Sequence, residues 1–260
     1  MKALVVALAW LFSVVAYAKD GCSLEFEGGL HITKDALSFT EGDKTRFTIL
    51  NNQQLLVNGR AVALDEKQQL LVKQYANDIR ALVPEVRVLT LEGVDLAAQA
   101  MDLAFQELLE PGDQTRQQVN AEFALLKRDV EKGFSDGRAI NINQKGFKDR
   151  DFLGMDFESR ISKIVETSTK DLSWSAVKNF LSSLFSDDNP KGDFETRMKK
   201  FGERMDREMK GRSEKLSQRS DKICVSVIAL DRKEEEMRKS IKEIDSFNLI
   251  KLKSVPSKSI

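Results

Sequence analysis

The chain has 260 residues, 41 of them Lys or Arg and 41 Asp or Glu, so its formal charge is zero. This balance argues against a general nucleic-acid binder, because phosphate contacts depend on a surplus of Lys and Arg gathered on one face. Charged residues make up 32% of the chain and prolines number only four, a mixture suited to long, solvent-facing helices.

The first eighteen residues set an expectation of compartment. Lys2 supplies a positive charge, Ala3 to Val15 is almost wholly apolar, and Ala16-Tyr17-Ala18 puts small residues at the two positions a signal peptidase reads. That order is a secretory signal, and the apolar run falls short of the ~20 residues that span a bilayer. A cut after Ala18 and a mature chain in the periplasm of a Gram-negative envelope are expected. A buried N-terminal helix is the alternative. Lys19-Asp20-Gly21 separates the cut from Cys22, which argues against lipoprotein processing, and no later stretch is apolar enough to span a membrane. Losing Lys2 leaves 40 basic against 41 acidic residues, a charge of −1.

Residues 19–64 read as a β-meander. Ser23-Leu24-Glu25-Phe26-Glu27 alternates, Gly28-Gly29 interrupts, and short alternating runs follow around His31, Phe39, Phe47 and Leu55. Period-two patterning between Gly and Asn turn signals predicts antiparallel strands, and Asn58-Gly59 predicts a type I′ hairpin. Such a meander needs helices as a cover.

Residues 65–185 read as a helical bundle. Asp65 is a candidate N-cap, and Leu71, Tyr75, Ile79 and Leu82 recur at helical spacing. Pro84 is expected to end that helix or open the next, which carries Leu96 to Leu108 and stops at Pro111-Gly112. Val119, Phe123, Leu126, Val130 and Phe134 predict a third helix, packed antiparallel through short loops. A loop follows from 135 to 150 with a short strand at Ala139 to Ile142, then helices around Phe157 to Val165 and Val177 to Leu184. Residues 186–192 read as a linker. Residues 193–250 are a long charged helical region whose apolar steps of three, four and seven predict a coiled coil or helical hairpin. Residues 251–260 are a tail. The fold class is therefore α+β, an N-terminal antiparallel meander followed by a mainly helical bundle with long C-terminal helices.

Cys22 and Cys224 both lie in the exported part, and an even cysteine count in an oxidising compartment predicts a disulfide. It would close a loop of about 200 residues, contributing on the order of 5 kcal/mol on the chain-entropy model. A redox pair is the alternative, without a C-x-x-C to support it. His31 is the lone histidine and makes no zinc set. Phosphate-binding glycine motifs and nucleophile motifs are missing. Asp187-Asp188 and Glu234-Glu235-Glu236 read as solvated charge. No catalytic, cofactor or metal residues are expected. Phe194, Met198, Phe201 and Met205 step along one helix face, as an ordinary core stripe or an adaptable partner surface.

Two blocks carry a resemblance. Leu56-Val57-Asn58-Gly59-Arg60 running through Tyr75 and Ile79-Arg80 to Pro84 is one. Arg212-Ser213-Glu214-Lys215 leading to Lys222-Ile223-Cys224 and Leu230-Asp231 is the other. With Cys22 they resemble the YggN-like family of bacterial periplasmic proteins, which implies export and adds no activity. The expected function is a structural or binding role in the envelope, toward an unidentified protein or hydrophobic ligand. A carrier or chaperone would show an apolar cavity between helices. An envelope hydrolase would show a cleft where His31 or a raised-pKa carboxylate meets a Ser or Lys.

Overall fold

Each short strand between Gly29 and Val57 puts every second side chain on the same side, and hydrogen-bonded register aligns those side chains into rows. The computed structural model describes residues 23–109, 113–135, 139–142, 163–164, 166 and 191–254. The leader (1–18), Cys22, the helical stretch expected near Phe157 except for Lys163 and Ile164, the one near Val177, and positions 186–190 of the linker lie outside them. A six-stranded antiparallel sheet runs β6-β5-β4-β3-β2-β7, built from β2 (Gly29–Ile32), β3 (Ala36–Glu41), β4 (Lys44–Leu50), β5 (Gln54–Val57), β6 (Arg60–Ala61) and β7 (Ile140–Ile142). Register places Leu30 beside Phe39, Phe39 beside Phe47 and Phe47 beside Val57. A second row joins Ile32, Leu37, Ile49 and Leu55. β7 extends both rows with Ile142 and Ile140. Asn58 and Gly59 take positive φ (51° and 75°) in the two-residue turn between Val57 and Arg60, as their sequence predicts.

One face of this sheet is apolar, and three long helices occur among the described residues. The first, α1 (Glu66–Ala104), starts at Asp65, whose side chain accepts from the Gln68 amide while Gln68 returns a bond to the Asp65 amide. That capping box satisfies two otherwise unpaired donors. α1 runs unbroken through Pro84, correcting the expected break. A proline inside a helix costs about 3 kcal/mol, yet the apolar seam continues on both sides of it, through Ile79 and Leu82 before and Leu91 and Val94 after. Those packed positions outweigh the local cost. Next come α2 (Asp113–Gly133) and α3 (Lys191–Ser240). α3 therefore begins inside the stretch expected to be a linker.

α1 and α3 run antiparallel. Lys233 pairs with Asp78, Arg219 with Glu92 and Arg204 with Glu107. The pairs advance by fourteen and then fifteen residues on each helix, close to two heptads, which is coiled-coil spacing. The largest apolar cluster lies where the sheet meets these helices. Tyr75, Val72 and Ile79 from α1 and Leu230, Met237 and Val227 from α3 cover the two strand rows. Phe39 stacks on Phe47 at 4.3 Å and on Tyr75 at 5.8 Å, and Phe247 meets Phe47 edge-on at 5.1 Å.

The chain after α3 departs from the expected helix and tail. Ile241 is extended, a single 3-10 turn spans Lys242–Ile244, and Ile250–Ser254 forms β8. β8 pairs antiparallel with β1 (Ser23–Phe26), so the two described chain ends meet. The physical reason is in the spacing: Ile241, Ile244, Phe247, Leu249 and Ile250 all bury, and steps of three, three, two and one fit no single helix face.

Gly28 sits where these parts close together. A Cβ there would lie 2.7 Å from the Phe247 ring and 3.0 Å from the Thr40 carbonyl oxygen. Phe247 is held by two other rings and has little room to yield. Gly28→Ala is expected to destabilise the protein by about 1–3 kcal/mol, as overpacking does. Asp65→Ala, which removes a cap, is expected to cost ~1 kcal/mol. Urea midpoints of the two variants check this ranking, and an unshifted Gly28→Ala midpoint would refute the close packing.

Candidate functional site

The end of α1 far from the sheet builds a second, smaller apolar cluster with α2. Val94, Met101 and Phe105 pack on Val119, Phe123, Leu126 and Ile164. Here the last turn of α1 widens into a π-helical turn, Phe105–Leu109. Such turns free backbone groups and recur at functional sites. The Glu107 carbonyl accepts from Arg197 Nε at 2.8 Å. The Glu107 carboxylate accepts from Arg204 at 2.5 Å, and Arg204 also reaches Glu208 at 3.0 Å. These carboxylates raise the guanidinium pKa of Arg204, the Glu107 bond contributing most.

A cleft of about 560 Å3 opens beside this turn, between α1, α2 and α3. Buried Leu103 and Met209 form its apolar floor. Its walls carry the amides of Gln99, Gln106 and Asn120, with Asp102 engaged by Arg116 at 2.8 Å. Arg212 stands exposed at the cleft with no ionic partner among the described residues. Amide walls, an apolar floor and one uncommitted guanidinium suit a ligand with polar edges and a small apolar face.

The expected partner-surface residues lie on α3 before Met209 and do not themselves line the cleft. Met198 is 37% exposed, and Phe201 and Met205 are half-buried. With Met209 they step by three, four and four along one helix face. Phe194 lies on the same helix, and its side chain is outside the described residues. Arg197 and Arg204 escaped the sequence reading, although the seven-residue step between them was a signal that both face one neighbour, and Arg212 entered it only within the resemblance block.

His31 stands on the polar face of the sheet, opposite Ser38, and its ring Nδ1 meets the Asn141 side-chain oxygen across β7. Cys224 is half-buried on α3, next to Ile223, which packs on the larger cluster. No free cysteine occurs among the described residues. Glu235 and Glu236 are exposed as expected, whereas Glu234 is only 2% exposed, correcting its reading as solvated charge. The signal was present: Val227, Leu230, Glu234, Met237 and Ile241 step by three, four, three and four, so Glu234 fills a seam position.

Burial pushes the Glu234 carboxyl up to about 7, with Asp231 adding to the rise and the Leu249 and Ile250 amides opposing it. Its Oε1 accepts from the Leu249 amide at 2.6 Å, which ties α3 to the start of β8. Its Oε2 and the Tyr75 hydroxyl are both buried without a hydrogen-bond partner of good geometry. Burial, then the charge of Glu234, raises the Tyr75 phenol. The folded chain therefore keeps the Glu234 proton at pH values where an unfolded one has lost it. That stabilisation is complete below pH 4.5, the ordinary carboxyl value, shrinks as pH rises, and is gone above about 7. The difference is on the order of 3 kcal/mol. Glu234→Gln keeps an acceptor for the Leu249 amide and cannot ionise. Its stability relative to the native chain is expected to rise by about that amount between pH 4.5 and 8, read from urea unfolding. A pH-independent difference would show that Glu234 ionises freely.

The fold and cleft define an α+β protein in which one sheet and two antiparallel helices share a core, with a helical arm reaching beyond it. A family model described as "Protein of unknown function (DUF2884)" matches residues 22–250, and the chain belongs to that family. No curated protein and no solved structure matches it. No helix among the described residues is long and apolar enough to cross a membrane.

Proposed function

We propose that this protein is exported to the Gram-negative periplasm, as a member of the YggN-like group, and holds a protein partner there through its helical arm. The observation that carries the reading is the cleft beside the π-helical turn, whose floor residue Met209 lies one turn of α3 beyond Met205. Its floor is methionine-containing and adaptable, and its walls offer donors and acceptors together. Those polar walls favour a polypeptide surface over a purely hydrophobic ligand. The hydrolase alternative gains nothing from Glu234, which is sealed against Tyr75 and the β8 backbone instead of facing a cleft.

Export is supported by the order of charge, apolar run and small residues ahead of Lys19. A Cys22–Cys224 bridge is supported by position. Cys22 immediately precedes β1, and β1 pairs with β8 at the end of the molecule where Ile223 packs. The bridge would fasten the mature N-terminus to α3.

A photo-crosslinking residue placed at Gln99 or Gln106 in intact cells tests the arm. One envelope protein is expected to be captured from both positions, and far less of it in an Arg212→Ala background. Capture that is equal from Arg60, on the sheet edge, or indifferent to Arg212 would refute a partner in the cleft. Export is read separately. The mature chain is expected to begin at Lys19 and to show no titratable thiol without reductant, whereas a retained leader with two free thiols would overturn it.

A further inference from the structure

A second pocket, about 170 Å3, lies at the opposite end of the molecule from the cleft. It forms where the chain after α3 folds over the start of β4, so its walls come from segments some 200 residues apart. The floor is apolar, made by the buried rings of Phe47 and Phe247. The sheet-side wall carries Lys44 and Arg46, and the other wall carries Glu243 and Ser246.

The charges on these walls are unequal in their commitments. Arg46 is held in place, its Nη2 donating to Ser246 Oγ at 3.0 Å and its Nε lying 3.4 Å from Glu41. Lys44 and Glu243 both line the pocket, yet they do not pair with each other and have no other ionic partner among the described residues. Two opposite charges facing one small space without meeting leave room between them for a molecule that carries both. The volume equals roughly five or six waters, the scale of a single small metabolite. Charge-assisted hydrogen bonds at both of its ends would be stronger than neutral ones. The buried rings would support the carbons joining those ends.

We propose that this pocket binds one small zwitterion, its anionic head between Lys44 and Arg46 and its ammonium against Glu243. An α-amino acid and an aminoalkyl phosphate share that chemistry. The site is independent of the helical arm, so it stands or falls apart from the partner reading.

Calorimetric titration of the full chain with alanine, phosphoethanolamine, acetate, methyl phosphate and ethylamine tests it. At least one zwitterion is expected to bind about tenfold more tightly than the matching anion or the amine. Alanine winning against phosphoethanolamine assigns the carboxylate source, and the reverse assigns the phosphate source. Glu243→Gln is expected to remove the preference for the zwitterion over its matching anion while leaving anion binding in place. Lys44→Ala is expected to weaken both by about tenfold. Both side chains are exposed, and thermal melting confirms that each variant is folded. Equal affinity for zwitterion and anion, a preference that survives Glu243→Gln, or no binding of either zwitterion at 10 mM would overturn the proposal.

Discussion

A six-stranded sheet with one apolar face, too wide for the two-stranded β1–β8 ribbon to cover, must be closed by helices, and that requirement organises the molecule. Two cross-strand rows centred on Phe39 and Ile49 present a continuous apolar surface. α1 covers it from one direction and the last third of α3 from the other. Each large side chain fully buried there contributes about 1.5–3 kcal/mol, whereas a partly exposed ion pair contributes about 0.2–1. The apolar surface therefore supplies the stability. The pairs at Asp78, Glu92 and Glu107 fix how the two helices register, because a shift of one residue would break all three.

Register at the sheet end has consequences at the other. Two helices of 39 and 50 residues extend about 58 and 75 Å at 1.5 Å per residue, far beyond what the sheet can cover. The excess of α1 finds its own core against α2, through Val119, Phe123 and Leu126. One added helix cannot fill the whole groove between two others. What remains is the polar cleft, bordered by the π-helical turn whose carbonyl and carboxylate are taken by Arg197 and Arg204. The cleft is thus a product of helix geometry, and its amide and guanidinium lining is what gives it a chemistry.

Glu234 works against the same core that holds the molecule together. A carboxyl in an apolar seam is costly unless it is hydrogen-bonded or keeps its proton. Here one oxygen accepts the Leu249 amide and the other faces Tyr75, so the group gives β8 its anchor on α3. A hydrocarbon at this position would pack as well and leave the strand unanchored. Outside the core, Glu27 adds a second fastening: it pairs with Lys251 at 3.0 Å, and that bond is the main cause of its lowered pKa.

Much of the architecture was legible in the residues alone because it is local. Strand alternation, the Asn58-Gly59 turn, the Asp65 cap and the helical periods of α1, α2 and α3 follow from backbone and side-chain preferences within a few positions. The short strand near Ile140 was legible too, though not its place as an edge of the sheet. Pro84 misled because its penalty is local while the seam that overrides it is tertiary. Residues 251–254 read as a tail, and Ile250 as the end of a helix, because nothing nearby announces a strand partner at Ser23–Phe26. Glu234 read as one member of an exposed acidic run until packing showed which of the three turns inward. The cleft and the zwitterion pocket had no signature in sequence at all, since their walls come from distant segments and only chain crossing brings them together. The sequence by itself determined the elements and their apolar faces. Tertiary structure alone decided which ends meet, which charge is buried and where space is left open, because those depend on long-range packing that no short window of residues contains.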